Sequence, residues 1–221
     1  MPRRRMHEIV AEEDAVAIER QLTFRLVADR TARAWAEAPG VEVIGVTGPL
    51  VGPLPRAMPY WRRRGDPSLL SLSSLDMVVW LSRTDEVRSL HRAFARVLRE
   101  LEAEGVQHQM AAHYLSATVL DVATADYRGV ICTYASCPKG KPACQVRGCG
   151  VVPFLRRFTD WGAAEAWREA ADALVLWRRG DGFLAAASDL PPTPLDAGLD
   201  EEADDAAPSA GWKRGRGEGV R

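Results

Sequence analysis

The stretch Asp76-Met77-Val78-Val79-Trp80-Leu81 constrains the fold of this chain more tightly than any other segment. After one acid it is an unbroken apolar run with no polar face to turn toward water, so it reads as a central strand covered on both sides. Cover is legible before and after it. From Glu12 to Glu37 there is neither proline nor glycine, and Ala15, Ile18, Leu22 and Leu26 recur at helical spacing, so a long helix is expected, ending before Pro39-Gly40. Asp29 interrupts that stripe. Downstream, Thr84 stands where a helix N-cap is wanted, Asp85 and Glu86 suit the first turn, and Val87, Leu90, Phe94, Val97, Leu98 and Leu101 form an apolar stripe. This predicts a helix from Thr84 to Glu104, stopped by Gly105.

Other segments fill in an α/β (α+β) domain with a small mixed sheet flanked by helices. Val41 to Thr47 is β-branched and closed by Gly48-Pro49, which predicts a strand running into a tight turn. Residues 49–73 contain five prolines and read as a long loop, with Arg56, Arg62, Arg63 and Arg64 set around Tyr60 and Trp61. Strands are expected near Gln107–Tyr114 and Ala117–Ala123, the latter with an acid inside the run Val119-Leu120-Asp121-Val122. Asp160 to Leu174 has helical spacing, and Leu174 to Trp177 fits either its end or a last strand. The expected organisation is a basic, flexible segment at 1–11, one domain at 12–188 and a disordered tail at 189–221, rich in proline, acid and finally Gly/Arg.

With 221 residues, 47% of them hydrophobic, the chain can bury one good core, and 29 basic residues against 30 acidic ones create no global field toward nucleic acid or an anionic membrane. Arg3, Arg4 and Arg5 are followed by Glu12, Glu13 and Asp14 rather than by an apolar signal core, and no apolar run is long enough to span a bilayer. A cytoplasmic protein without a membrane partner is expected.

All four cysteines, Cys132, Cys137, Cys144 and Cys149, fall between residues 130 and 150 in the symmetric spacing Cys-x4-Cys-x6-Cys-x4-Cys. Pro138, Gly140, Pro142, Gly148 and Gly150 allow sharp turns around a small centre. Four thiolates suit a structural, tetrahedral Zn²⁺; an iron–sulfur cluster, disulfides or independent thiols are the alternatives.

The order of strand, glycine turn, loop, strand with an early acid, helix and strand with an internal acid resembles the DNA-polymerase-β-like nucleotidyltransferases over roughly Ala36 to Thr124. In that family a Gly-Ser turn ends the first strand, two acids one residue apart open the next, and a third acid lies on a neighbouring strand. Gly48 matches the turn glycine, Asp76 the second acid of the pair and Asp121 the third. The chain departs from the pattern at Pro49, in place of serine, and at Ser74, in place of the first acid.

The resemblance implies Mg²⁺- or Mn²⁺-dependent transfer of a nucleotidyl group from a nucleoside triphosphate to an acceptor, with a nucleic acid or a protein as the candidate acceptors. Asp76 and Asp121 would hold metal, with Ser74 beside them, and backbone near Thr47 and Gly48 would cradle phosphate. Arg56 and Arg62 are candidate triphosphate ligands, their neighbours Tyr60 and Trp61 offering stacking surfaces. A serine at position 74 is a poor ligand for a hard cation, so the second metal would need another acid such as Asp66. The alternatives are an impaired descendant of the fold that binds nucleotide, nucleic acid or protein, and an unrelated zinc-stapled α/β domain in which Asp76 and Asp121 would face different directions.

Overall fold

The computed structural model describes residues 6–52, 74–106, 115–132, 152–156 and 172–191. Among these residues the secondary structure is mixed α and β: two helices lie against a seven-stranded sheet. The helices are α1 (Met6–Ala36) and α2 (Val87–Ala103). The strands are β1 (Val41–Val46), β2 (Leu75–Leu81), β3 (Leu115–Asp121), β4 (Tyr127–Ile131), β5 (Leu155–Arg156), β6 (Leu174–Arg178) and β7 (Gly182–Phe183). Their order across the sheet is β5-β4-β3-β2-β1-β6-β7. β2 and β3 run parallel with α2 as the connection, and every other neighbouring pair is antiparallel.

The run from Asp76 to Leu81 is the middle strand, as its composition demands. Leu75, Met77, Val79 and Leu81 face the helices in the main core with Ile44, Val46, Ala117 and Val119. On the opposite face Val78 packs with Leu120, Tyr127 and Val130, and Trp80 leans on that cluster. Alternation along each strand thus sorts odd positions of β2 and β3 toward the helices and even positions away from them.

α2 closely follows its expected stripe: Val87, Leu90, Phe94, Val97, Leu98 and Leu101 are all buried. Its start differs from expectation. Thr84 opens a short 3₁₀ turn, Thr84–Glu86, and caps nothing with its side chain; Glu86 instead accepts hydrogen bonds from Arg83 and Ser89. The end is a glycine stop, with Gly105 at φ +81° and the Val106 N–H donating to Leu101 O.

In α1 the buried face is shifted from the expected one. Ala15 is exposed, Leu22 is 40% exposed, and Ile18 and Leu26 are half-buried, whereas Phe24, Val27, Ala28, Thr31, Ala32 and Trp35 are fully buried. Those six follow helical spacing over the second half of the helix, on both sides of the Asp29 that interrupts the expected stripe. Asp29 itself caps the turn Ala187–Asp189, accepting from the N–H groups of Ala187 and Ser188 at 2.7 and 2.9 Å. Trp35 Nε1 donates to Leu90 O at 2.9 Å and ties α1 to α2.

Three polar side chains lie on the same buried half of α1: Gln21, Arg25 and Thr31. Arg25 Nε donates to Leu50 O at 2.8 Å, and its Nη1 donates to Leu190 O and Pro191 O, both at 3.0 Å. One guanidinium therefore joins α1, the turn after β1 and the last described residues. Burial alone pulls Arg25 below its ordinary arginine value.

The segment at Leu174 is a strand, β6, which pairs with β1. β4 and β5 were not expected from the sequence; Gly129 permits their pairing, because a Cβ there would lie 2.5 Å from Arg156 O. Residues 1–5, residues 53–73 of the expected arginine-bearing loop, the strand expected at 107–114, the helix expected at 160–174 up to residue 171, and the tail beyond 191 lie outside the described residues. Among the described residues no helix is long and apolar enough to cross a membrane.

Candidate functional site

β1 ends at Val46, and the Thr47 N–H continues the pairing by donating to Asp76 O at 3.0 Å. The chain then turns sharply through the 3₁₀ turn Gly48–Leu50, whose first residue has φ +64°. A left-handed residue at that point favours glycine. The turn also lies close to β2: a Cβ on Gly48 would sit 3.3 Å from Asp76 Oδ2. Thr47 is buried and Gly48 exposed, so the backbone of the turn reaches solvent directly beside the Asp76 carboxylate. Arg25 holds the far end of the turn through Leu50 O.

Ser74 and Asp76 are two residues apart, which puts both on the sheet face turned away from the helices. Ser74 Oγ donates to Asp76 Oδ1 at 2.8 Å. In the parallel pairing of β2 with β3, Asp76 stands opposite Ser116, and the Ser116 hydroxyl is its second hydrogen-bond donor. Burial pushes the Asp76 carboxyl above its ordinary value, and the Ser74 and Ser116 hydroxyls partly oppose that rise. The result is one half-buried carboxylate set between two hydroxyls at the foot of two parallel strands, next to a left-handed turn.

The structure does not bring Asp121 to Asp76. Asp121 is paired with Leu81, five positions further along β3 than Ser116. At about 3.3 Å per residue that is roughly 16 Å along the strands. Five is also an odd number, so alternation directs Asp121 to the helix-covered face while Ser116 faces away from it. Asp121 is engaged locally there. Its Oδ1 accepts from the N–H groups of Ala123 and Thr124, and its Oδ2 pairs with the Arg128 guanidinium. The Arg128 hydrogen bond leads the causes that hold its pKa below the ordinary aspartate value.

Ser116 was missed by reading the sequence because nothing in its neighbourhood marks it. Only the cross-strand register reveals that it, and not an acid, neighbours Asp76. Among the described residues no group of three or more His, Cys, Asp or Glu side chains could hold a metal ion. Asp76, Ser74 and Ser116 therefore do not fit a two-cation centre, in which metals about 3.5–4 Å apart are bridged by several carboxylates. They do fit one Mg²⁺ arriving with a nucleotide, since Mg²⁺ is commonly held by one or two carboxylates plus the substrate's own phosphates.

Cys132 follows β4, is buried, and donates its N–H to Phe154 O at 2.7 Å. Cys137, Cys144 and Cys149 lie outside the described residues, as do Arg56 and Arg62. No family model, curated protein or solved structure matches this chain.

Proposed function

We propose that this chain is a catalytically impaired protein of the polymerase-β-like nucleotidyltransferase type, which binds a magnesium nucleoside triphosphate without transferring its nucleotidyl group. What supports the kinship is the element order: a strand, a left-handed glycine turn, a strand opening with an acid, a helix and a strand, with the three strands adjacent in the sheet. The observation that carries the impairment is the pair of serine hydroxyls on Asp76. Among the described residues the two side chains that hydrogen-bond Asp76, one just before its strand and one directly across from it, are both serine. In two-metal sites the cations clamp both the attacking and the leaving oxygen of an in-line displacement, and the single carboxylate that the described residues place here cannot bridge two.

Binding makes smaller demands. Asp76 supplies the charged ligand to a Mg²⁺ carried by the triphosphate, the hydroxyls orient that carboxylate, and the exposed backbone at Gly48 lies beside the phosphates. Cation binding also reverses the effect of burial on Asp76, because a nearby positive charge favours its ionised form.

Calorimetric titration of the four ribonucleoside triphosphates with Mg²⁺ into the full chain tests this reading. At least one should bind in a Mg²⁺-dependent way, binding should be lost in Asp76→Asn and retained in Asp121→Ala, and no pyrophosphate should be released. Failure of all four to bind removes the nucleotide site; pyrophosphate release with an acceptor present removes the impairment.

A further inference from the structure

The solvent face of α2 carries a charge pattern that neither the fold nor the Asp76 site uses. Arg88, Arg92, Arg96 and Arg99 are all exposed and follow one another at intervals of four, four and three residues. That spacing aligns them on a single face of the helix, opposite the buried Leu90, Phe94, Val97 and Leu101. Arg88, Arg92 and Arg99 form no ion pair with any described residue. Arg96 has two loose ones, 3.8 Å to Glu37 and 3.6 Å to Glu100, and remains 51% exposed.

Like charges three or four residues apart disfavour a helix, and alternating acids would relieve them. The chain has acids to spare, 30 against 29 bases, yet places none between these arginines on this face. Stability of the helix therefore gives no reason for the stripe. We propose that it is a docking surface for a nucleic-acid backbone.

Three features favour that occupant. At 1.5 Å rise per residue, arginines four apart are displaced by about 6 Å and the stripe extends over about 16 Å. This matches the repeat between neighbouring phosphates along a strand. The cations are all arginine, whose planar fork meets phosphate oxygens in pairs. A lipid surface is disfavoured because an interfacial helix must keep an apolar face free, and that of α2 is buried in the core. Binding is expected to be electrostatic and to lack sequence preference, since four backbone contacts read no base edges.

The test is fluorescence anisotropy of labelled oligonucleotides with the full chain at rising salt, using single-stranded RNA, single-stranded DNA and duplex DNA. Each phosphate contact contributes about −0.9 to the slope of log K against log salt for a duplex and about −0.7 for a single strand. Four contacts predict slopes of roughly −3 to −4. Arg92→Gln with Arg99→Gln should make the slope shallower by about 1.4 to 1.8 and weaken binding at least tenfold at low salt, with the melting temperature unchanged. Arg178→Gln, which removes an exposed arginine from β6, should leave both unchanged. Preference among the three oligonucleotides identifies the backbone recognised. Absence of binding at low salt, an unaltered slope in the double variant, or equally tight binding of polyglutamate would overturn the assignment.

Discussion

Replacing Arg25 by methionine tests whether one buried guanidinium organises both the core and the candidate site. The side chain is fully buried, and its partners include three backbone carbonyls, those of Leu50, Leu190 and Pro191. Leu50 is itself fully buried, so its carbonyl loses its arginine donor in the variant; leaving a buried acceptor unsatisfied costs about 1–3 kcal/mol. Leu190 is half-buried and Pro191 exposed, so those carbonyls can turn to water and lose only about 0.5–1.5 kcal/mol each. Relief from burying a charge works in the opposite direction. The balance is a loss of about 2–4 kcal/mol, which in a domain of this size lowers the melting temperature by about 5–15 °C. Differential scanning calorimetry reads the stability. Limited proteolysis should show faster cleavage after Ser188, because two of the three bonds hold the residues that follow it. A melting temperature within about 2 °C of the parent protein would refute the argument, since that is less than 1 kcal/mol.

Two further changes probe the site. Gly48→Ala places a Cβ on a residue at φ +64° and 3.3 Å from Asp76 Oδ2, so it should cost about 1–2 kcal/mol and weaken magnesium-nucleotide binding; an unchanged melting temperature would show that the turn relaxes freely. Asp76→Asn should alter the pH dependence of stability. Burial holds the folded carboxyl above the ordinary value near 3.8, so the folded protein retains a proton that the unfolded chain has lost. That contribution is complete below the unfolded pKa and is lost as pH rises through the folded one. The stability of the Asn variant relative to the parent should thus grow as pH is raised from about 4 toward neutrality, and a difference that stays flat in urea unfolding across that range would contradict it.

The elements that local pattern could specify are present where the chain's own periodicity placed them. Val87 to Leu101 repeat at helical spacing and Gly105 adopts the left-handed stop, so α2 needed no distant partner to be recognised. The run ending in Trp80-Leu81 is apolar on both faces because both faces are covered, and β2 duly sits inside the sheet. The phase of α1 was harder to read. Its buried half mixes Gln21, Arg25 and Thr31 with apolar residues, and Arg25 is tolerated there because carbonyls from positions 50, 190 and 191 converge on it. Periodicity cannot register partners so far away in sequence.

The site divides in the same way. That Asp76 opens a strand, that Ser74 shares its face two residues earlier, and that a glycine turn ends the preceding strand all follow from order and alternation within short stretches of sequence. Which residue of β3 completes the site follows from register alone. Sliding β3 by five positions would exchange Ser116 for Asp121 opposite Asp76 and reverse every side chain between the two faces of the sheet. What holds the register is the burial of Leu115, Ala117 and Val119 against α1 and α2, a condition that exists only once the helices are packed.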